Sequence, residues 1–142
     1  MNLLNKGMII KNISLKNRLV MPPMASSQSV NGEVSDKLCK YYDEKSKGGY
    51  IGLIIMEHSY ISKEGQAGFH QVSIAKDEDI EGLKKITEII HNNDSKVFAQ
   101  INHAGGATTH EITGHSILSA SSINLPVKRF KETPKEMSLE DI

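Results

Sequence analysis

The chain has one cysteine, no tryptophan and no net charge. Cys39 standing alone excludes an internal disulfide and fits a reducing compartment. Seventeen basic side chains are balanced by 17 acidic ones, so the basic excess of a nucleic-acid or polyanion binder is missing. No apolar run approaches the roughly 20 residues that a membrane helix needs. The opening Met-Asn-Leu-Leu-Asn-Lys-Gly lacks the architecture of a secretory signal. No GxGxxG follows an apolar run and no GxxxxGK[ST] occurs, which leaves a Rossmann or P-loop reading without support. The expectation is a cytoplasmic protein that handles a small molecule, with no nucleic-acid or membrane partner. Its 142 residues suffice for one modest domain with a real core.

What is there centres on residues 98–107, Phe-Ala-Gln-Ile-Asn-His-Ala-Gly-Gly-Ala. An extended apolar run, entered through Lys96 and Val97, passes into polar groups and then small residues. A buried parallel strand, covered by helices, ends this way when its tip faces a ligand. Small residues let a backbone or a flat ring come close. Gln100 offers a donor and an acceptor side by side, and a buried carboxamide needs partners for both. A flat heterocycle with a C=O beside an N–H would supply them; neighbouring loop backbone would serve as well.

Along the chain, two short apolar runs at 8–10 and 13–15 around Lys11-Asn12 predict a hairpin. Residues 17–21 read as a first buried strand, stopped by Pro22-Pro23, neither of which can donate to a ladder. Ser35 is the expected N-cap of a helix over 36–47, ended by Gly48-Gly49. The apolar run 50–56 predicts a second buried strand, with Glu57-His58-Ser59-Tyr60 at its tip. Residues 62–72 read as a loop and 80–92 as a helix with Ile80, Leu83, Ile86, Ile89 and Ile90 on one stripe. The third strand is expected over 96–101, irregular polar chain over 111–135, and a final helix capped by Ser138.

Strand–helix alternation with buried parallel strands means α/β. Polar or small groups crown all three strand tips, as in barrels, whereas an open sheet concentrates them at one switch point. A complete eightfold barrel needs about 250 residues, so three strands are expected to be only its beginning.

The individual side chains also have plainer readings. Met24 suits a core. His103 suits a structural role, orienting its loop through a ring hydrogen bond. His110 and His115 suit solvated loop positions. Glu57 suits a strand-end carboxylate paired to a neighbouring cation, Cys39 a small buried residue, and the Lys128-Arg129 and Lys131 cluster a solvated loop.

Six segments together resemble the N-terminal part of the Old Yellow Enzyme family, the NADH:flavin oxidoreductases. They are residues 10–21, Pro23-Met24, Gly48-Gly49 with residues 52–57, residues 80–83, residues 100–105, and residues 134–138 with Asp141-Ile142. The resemblance implies the first three βα units of a (β/α)8 TIM barrel behind an N-terminal hairpin, with residues 1–142 forming the N-terminal portion of a single FMN-binding domain. It implies an oxidoreductase of the ene-reductase type, with NADH or NADPH as reductant and an activated alkene or other acceptor as oxidant. It also implies that Pro23, Met24 and Ala25 lie along the flavin, that His58 stands where the pyrimidine side of the ring is touched, and that Gln100 hydrogen-bonds the pyrimidine edge.

Three positions depart from the family pattern. Ala25 replaces a frequent Cys or Thr and has no side-chain donor. His58 replaces a commonly small residue, so its ring must turn from the flavin or its contact be made by backbone. Gly106 replaces an Arg after His-Ala-Gly. The family's catalytic residues and phosphate loops come from later strands, so these 142 residues are expected to be incomplete for activity. Two alternatives stand beside this: a non-catalytic half-barrel that self-associates or pairs with a partner chain, and, ranked last, a flavodoxin-like module.

Overall fold

A computed structural model describes residues 3–141. The chain opens with the hairpin β1 (Met8–Ile10) and β2 (Ile13–Leu15), paired antiparallel as expected, with Lys11 at φ +53° in its turn. Strands β3 (Val20–Met21), β4 (Leu53–Tyr60) and β5 (Lys96–Asn102) form a three-stranded parallel sheet in that order. Helix α1 (Asp36–Ser46) links β3 to β4, and α2 (Asp79–Asn92) links β4 to β5.

Helix α1 begins where predicted. The Leu38 N–H donates to Ser35 Oγ at 3.1 Å, satisfying one otherwise unpaired first-turn donor. Gly48 and Gly49 follow at φ +84° and +67°, a left-handed turn that glycine makes without steric cost and that reverses the chain into β4. The helices pack against the sheet through Leu38, Tyr42, Ile54, Met56, Val72, Ile86 and Ile90, all buried. Each large aliphatic side chain among them contributes about 1.5–3 kcal/mol relative to exposure.

Two strands move from their expected positions for one reason: side chains intercept backbone groups that a ladder would use. The first strand contracts to Val20–Met21 because Asn17 Oδ1 accepts the Leu19 N–H at 3.0 Å and Asn17 Nδ2 donates to the Tyr50 carbonyl at 2.7 Å. The same contact removes Tyr50 from the second strand, and Ser95 Oγ takes the Ile51 carbonyl at 2.7 Å. Pairing with β5 then carries β4 on to Tyr60.

The third strand is not covered as expected. β5 is the sheet edge, with Phe98 41% and Ile101 66% exposed. The polar segment after it is also more ordered than its composition suggests. It holds a one-turn helix α3 (His110–Thr113) and the parallel pair β6 (Leu118–Ser119) and β7 (Lys135–Glu136). These elements are too short to show a period, and they are pinned by the buried Ile112 and Ile117. The predicted last helix is a 3-10 turn over Leu139–Asp141, in which Asp141 Oδ2 accepts the N–H and the hydroxyl of Ser138; Ile142 lies outside the described residues. None of the described helices is long and apolar enough to cross a membrane.

Candidate functional site

Parallel pairing brings the C-terminal tips of β3, β4 and β5 to one end of the sheet. A bulge sets what those tips present. Ile55 faces Phe98 and His58 faces Gln100, so Met56 and Glu57 together oppose Ala99 alone. The extra residue re-aims the end of β4 and places His58 beside Gln100.

Glu57 is 2% exposed, and among the described residues no cation pairs with it. Its expected ion pair is replaced by hydrogen bonds. Ser26 donates to the carboxylate twice, through its N–H at 3.1 Å and its hydroxyl at 2.7 Å. The Tyr42 hydroxyl accepts the Glu57 N–H at 2.9 Å and lies 3.5 Å from Oε1. Burial pushes the Tyr42 hydroxyl well above its ordinary pKa, so it stays protonated and can donate. A buried carboxylate thereby fixes the loop that carries Ala25 against the tip of β4.

Gln71, 5% exposed, ties the neighbouring tips. Its Nε2 donates to the His58 carbonyl at 3.2 Å and to Asn102 Oδ1 at 3.0 Å, and its Oε1 accepts the Ala67 N–H at 2.6 Å. His103 behaves as a loop anchor, its Nδ1 accepting the Gly105 N–H at 3.1 Å. Gly65 must lack a side chain, since a Cβ there would collide with the His103 ring.

Two adjoining cavities result. The first, about 480 Å³, is bounded by Ala25, Ser27, His58, Phe69 and Arg129, with Glu57 on its wall. Ser27 holds φ +56°, a left-handed conformation that costs a non-glycine residue about 1–2 kcal/mol and turns the loop along the cavity. The second, about 370 Å³, is bounded by His58, Gln100, Asn102 and the small residues Ala67, Ala104 and Ala107. His58, Ala67 and Ala107 belong to both.

Of the residues singled out from sequence, Ala25, His58 and Gln100 meet around these cavities. Pro23, half-buried, and Met24, 54% exposed, lie just ahead of Ala25 on the same loop and line neither. Gln100 is exposed and its carboxamide has no partner among the described residues, so loop backbone does not satisfy it. Small side chains beside an unpaired carboxamide leave room at the strand tips for the edge of a flat heterocycle. Sequence reasoning missed Ser26, Tyr42, Gln71 and Arg129. Only the adjacency of Ser26 to Pro23-Met24-Ala25 carried a local signal. The Arg129 loop, read as merely solvated, lines the first cavity.

A parallel sheet with connecting helices and a ligand-sized cleft at the strand tips fits the first βα units of a (β/α)8 barrel, and solved structures agree. The chain superimposes with a TM-score of 0.85 on Old Yellow Enzyme from Pichia sp., at 25% identity over 98% of this chain and 38% of that one. It likewise matches the Old Yellow Enzyme homologue of Zymomonas mobilis, with a TM-score of 0.86 at 22% identity, over 97% of this chain and 40% of that one. Residues 4–142 match the NADH:flavin oxidoreductase / NADH oxidase family, and the chain belongs to it. It is 33% identical to an NADH oxidase of Thermoanaerobacter brockii, over 99% of this chain and 22% of that protein. The chain thus spans well under half the length of the relatives it matches.

Proposed function

We propose that residues 1–142 form the N-terminal portion of an FMN-binding barrel and build the pocket for the pyrimidine edge of the flavin. The observation that carries this is the pairing of His58 with Gln100 across the bulge, which leaves an unpartnered carboxamide at the mouth of a groove walled by alanines. Bound FMN would supply hydride transfer from NADH or NADPH to an electron-poor acceptor such as an activated alkene.

This chain's residues do the positioning. Gln100 would donate to and accept from the C=O and N–H of the ring edge. Ala25, with Pro23 and Met24 before it, would form the wall along the ring. The His58 carbonyl is already engaged by Gln71, so that backbone is held in place where His58 borders both cavities.

The phosphate of FMN needs its own clamp, and phosphate sites in such barrels are characteristic of strands 7 and 8. Titrating FMN fluorescence with the 142-residue chain is therefore expected to show weak binding. Submicromolar affinity would overturn the division of labour proposed here. Loss of the residual binding in Gln100→Ala is the supporting result.

The exposed β5 edge favours a second reading, a non-catalytic half-barrel that self-associates or pairs with a partner chain. Phe98 and Ile101 present apolar surface beside unpaired backbone. Size-exclusion chromatography separates the readings, because a compact monomer counts against obligatory pairing.

A further inference from the structure

We propose that the first cavity selects a planar ligand bearing one negative charge, a carboxylated hydride acceptor, with Arg129 as its counter-ion. This deepens the reading above and rests on it, since it assigns the acceptor's charge at the same strand tips.

The charge inventory of the cavity points one way. Glu57 is the single carboxylate on its wall, and it is buried and committed to Ser26 and Tyr42. His58, His70 and Arg129 are the remaining ionisable groups there, and none of them carries negative charge. Among the described residues no carboxylate lies within ion-pair distance of Arg129. The nearest acid in sequence, Glu132, is engaged elsewhere, accepting the His110 N–H at 3.1 Å. The guanidinium carbon sits 5.4 Å from the centroid of the Phe130 ring, within cation–π range, a contact through the face of the group that leaves its N–H fork open to a ligand.

Shape agrees with charge. Phe69, 55% exposed, and the half-buried Phe130 both border the cavity. Large aromatic surface left open beside a cation suits a flat, apolar ligand ending in an anion. A planar guanidinium fork matches a carboxylate bidentately, as an ammonium would not.

The test uses the 142-residue chain, labelled with ¹⁵N, and two probes of one shape and different charge, benzoate and benzamide. Benzoate is expected to bind about fivefold more tightly than benzamide, a modest factor because the arginine is exposed. Its shifts should fall on Ala25, His58, Gln71 and Phe130. Arg129→Gln should erase the difference and Arg129→Lys should restore only part of it. Equal binding of the two probes, or shifts confined to other residues, overturns the proposal. Adenosine 2′-phosphate displacing benzoate from the same residues with higher affinity also overturns it, because the charge would then belong to a dinucleotide. Lumiflavin added to the same sample separates the failures. If it shifts Ala25 and Gln100 while the two probes bind alike, the flavin reading survives and the charge assignment falls.

Discussion

The carboxylate of Glu57 holds Ser26 by two hydrogen bonds at once, from its N–H at 3.1 Å and from its hydroxyl at 2.7 Å. That pair joins the loop after β3 to the tip of β4, and so sets the spacing between Ala25 and His58. Glu57→Ala leaves both Ser26 donors and the Tyr42 hydroxyl short of an acceptor. It is expected to cost about 1–3 kcal/mol per donor left buried and unpaired. Glu57→Gln retains one acceptor oxygen and should cost less. Urea denaturation of the two variants checks the order, and equal losses would contradict the clamp.

Tyr42→Phe tests the same junction from the helix side. The Glu57 N–H loses its 2.9 Å acceptor in a site sealed from water. The expected loss is about 1–3 kcal/mol with the ring packing kept. Ile86→Ala, which opens a cavity between α2 and the sheet, should cost about 2–5 kcal/mol. Thermal or urea melts measure both.

Gln100→Ala should behave in the opposite manner. The side chain is exposed and supports nothing in the fold. Stability should change by no more than about 0.5 kcal/mol, while residual flavin binding falls. A large loss of stability would show that the carboxamide is structural.

Glu64 gives a pH dependence. The hydrogen bond from its own N–H, then Ser62 and the nearby His115 and His103, hold its carboxyl below the ordinary value of 4.5, against partial desolvation. The unfolded chain therefore binds the proton more readily. The resulting stability is present above pH 4.5 and is lost as pH falls through the folded-state value. Asp141, lowered by the N–H and hydroxyl of Ser138, titrates in the same direction. Melting temperature against pH should flatten below 4.5 in Glu64→Gln, and further when Asp141→Asn is added. An unchanged slope would contradict the assignment.

The β5 edge predicts self-association that depends on concentration. Ile101→Lys puts a charge on the edge, a device by which natural sheets block pairing. Light scattering should show the variant shifted toward monomer; no shift would remove β5 as the contact.

Much of this was legible in the sequence, and what escaped it did so for identifiable reasons. Ser35, Gly48 and Gly49 announced α1 because caps and left-handed turns are local chemistry. The apolar stripe of α2 announced itself by its period. The limits of β3 and β4 were not readable, because Asn17 reaches Tyr50 and Ser95 reaches Ile51 across long sequence separations. Gln100 and His58 could be singled out from strand ends. Their pairing could not, since it depends on a bulge that no residue type marks. Gln71 lay in a stretch without periodicity, and its bonds to the His58 carbonyl and Asn102 exist only once two strand tips are side by side.

The central claim concerns one ring edge, and NMR titration of the ¹⁵N-labelled chain with lumiflavin tests it most directly. The account predicts saturable shifts at the Gln100 side-chain amide and at the backbone of Ala25 and His58, lost in Gln100→Ala. Shifts confined to residues away from the tips of β3, β4 and β5, or identical titrations of the parent chain and the variant, would contradict it.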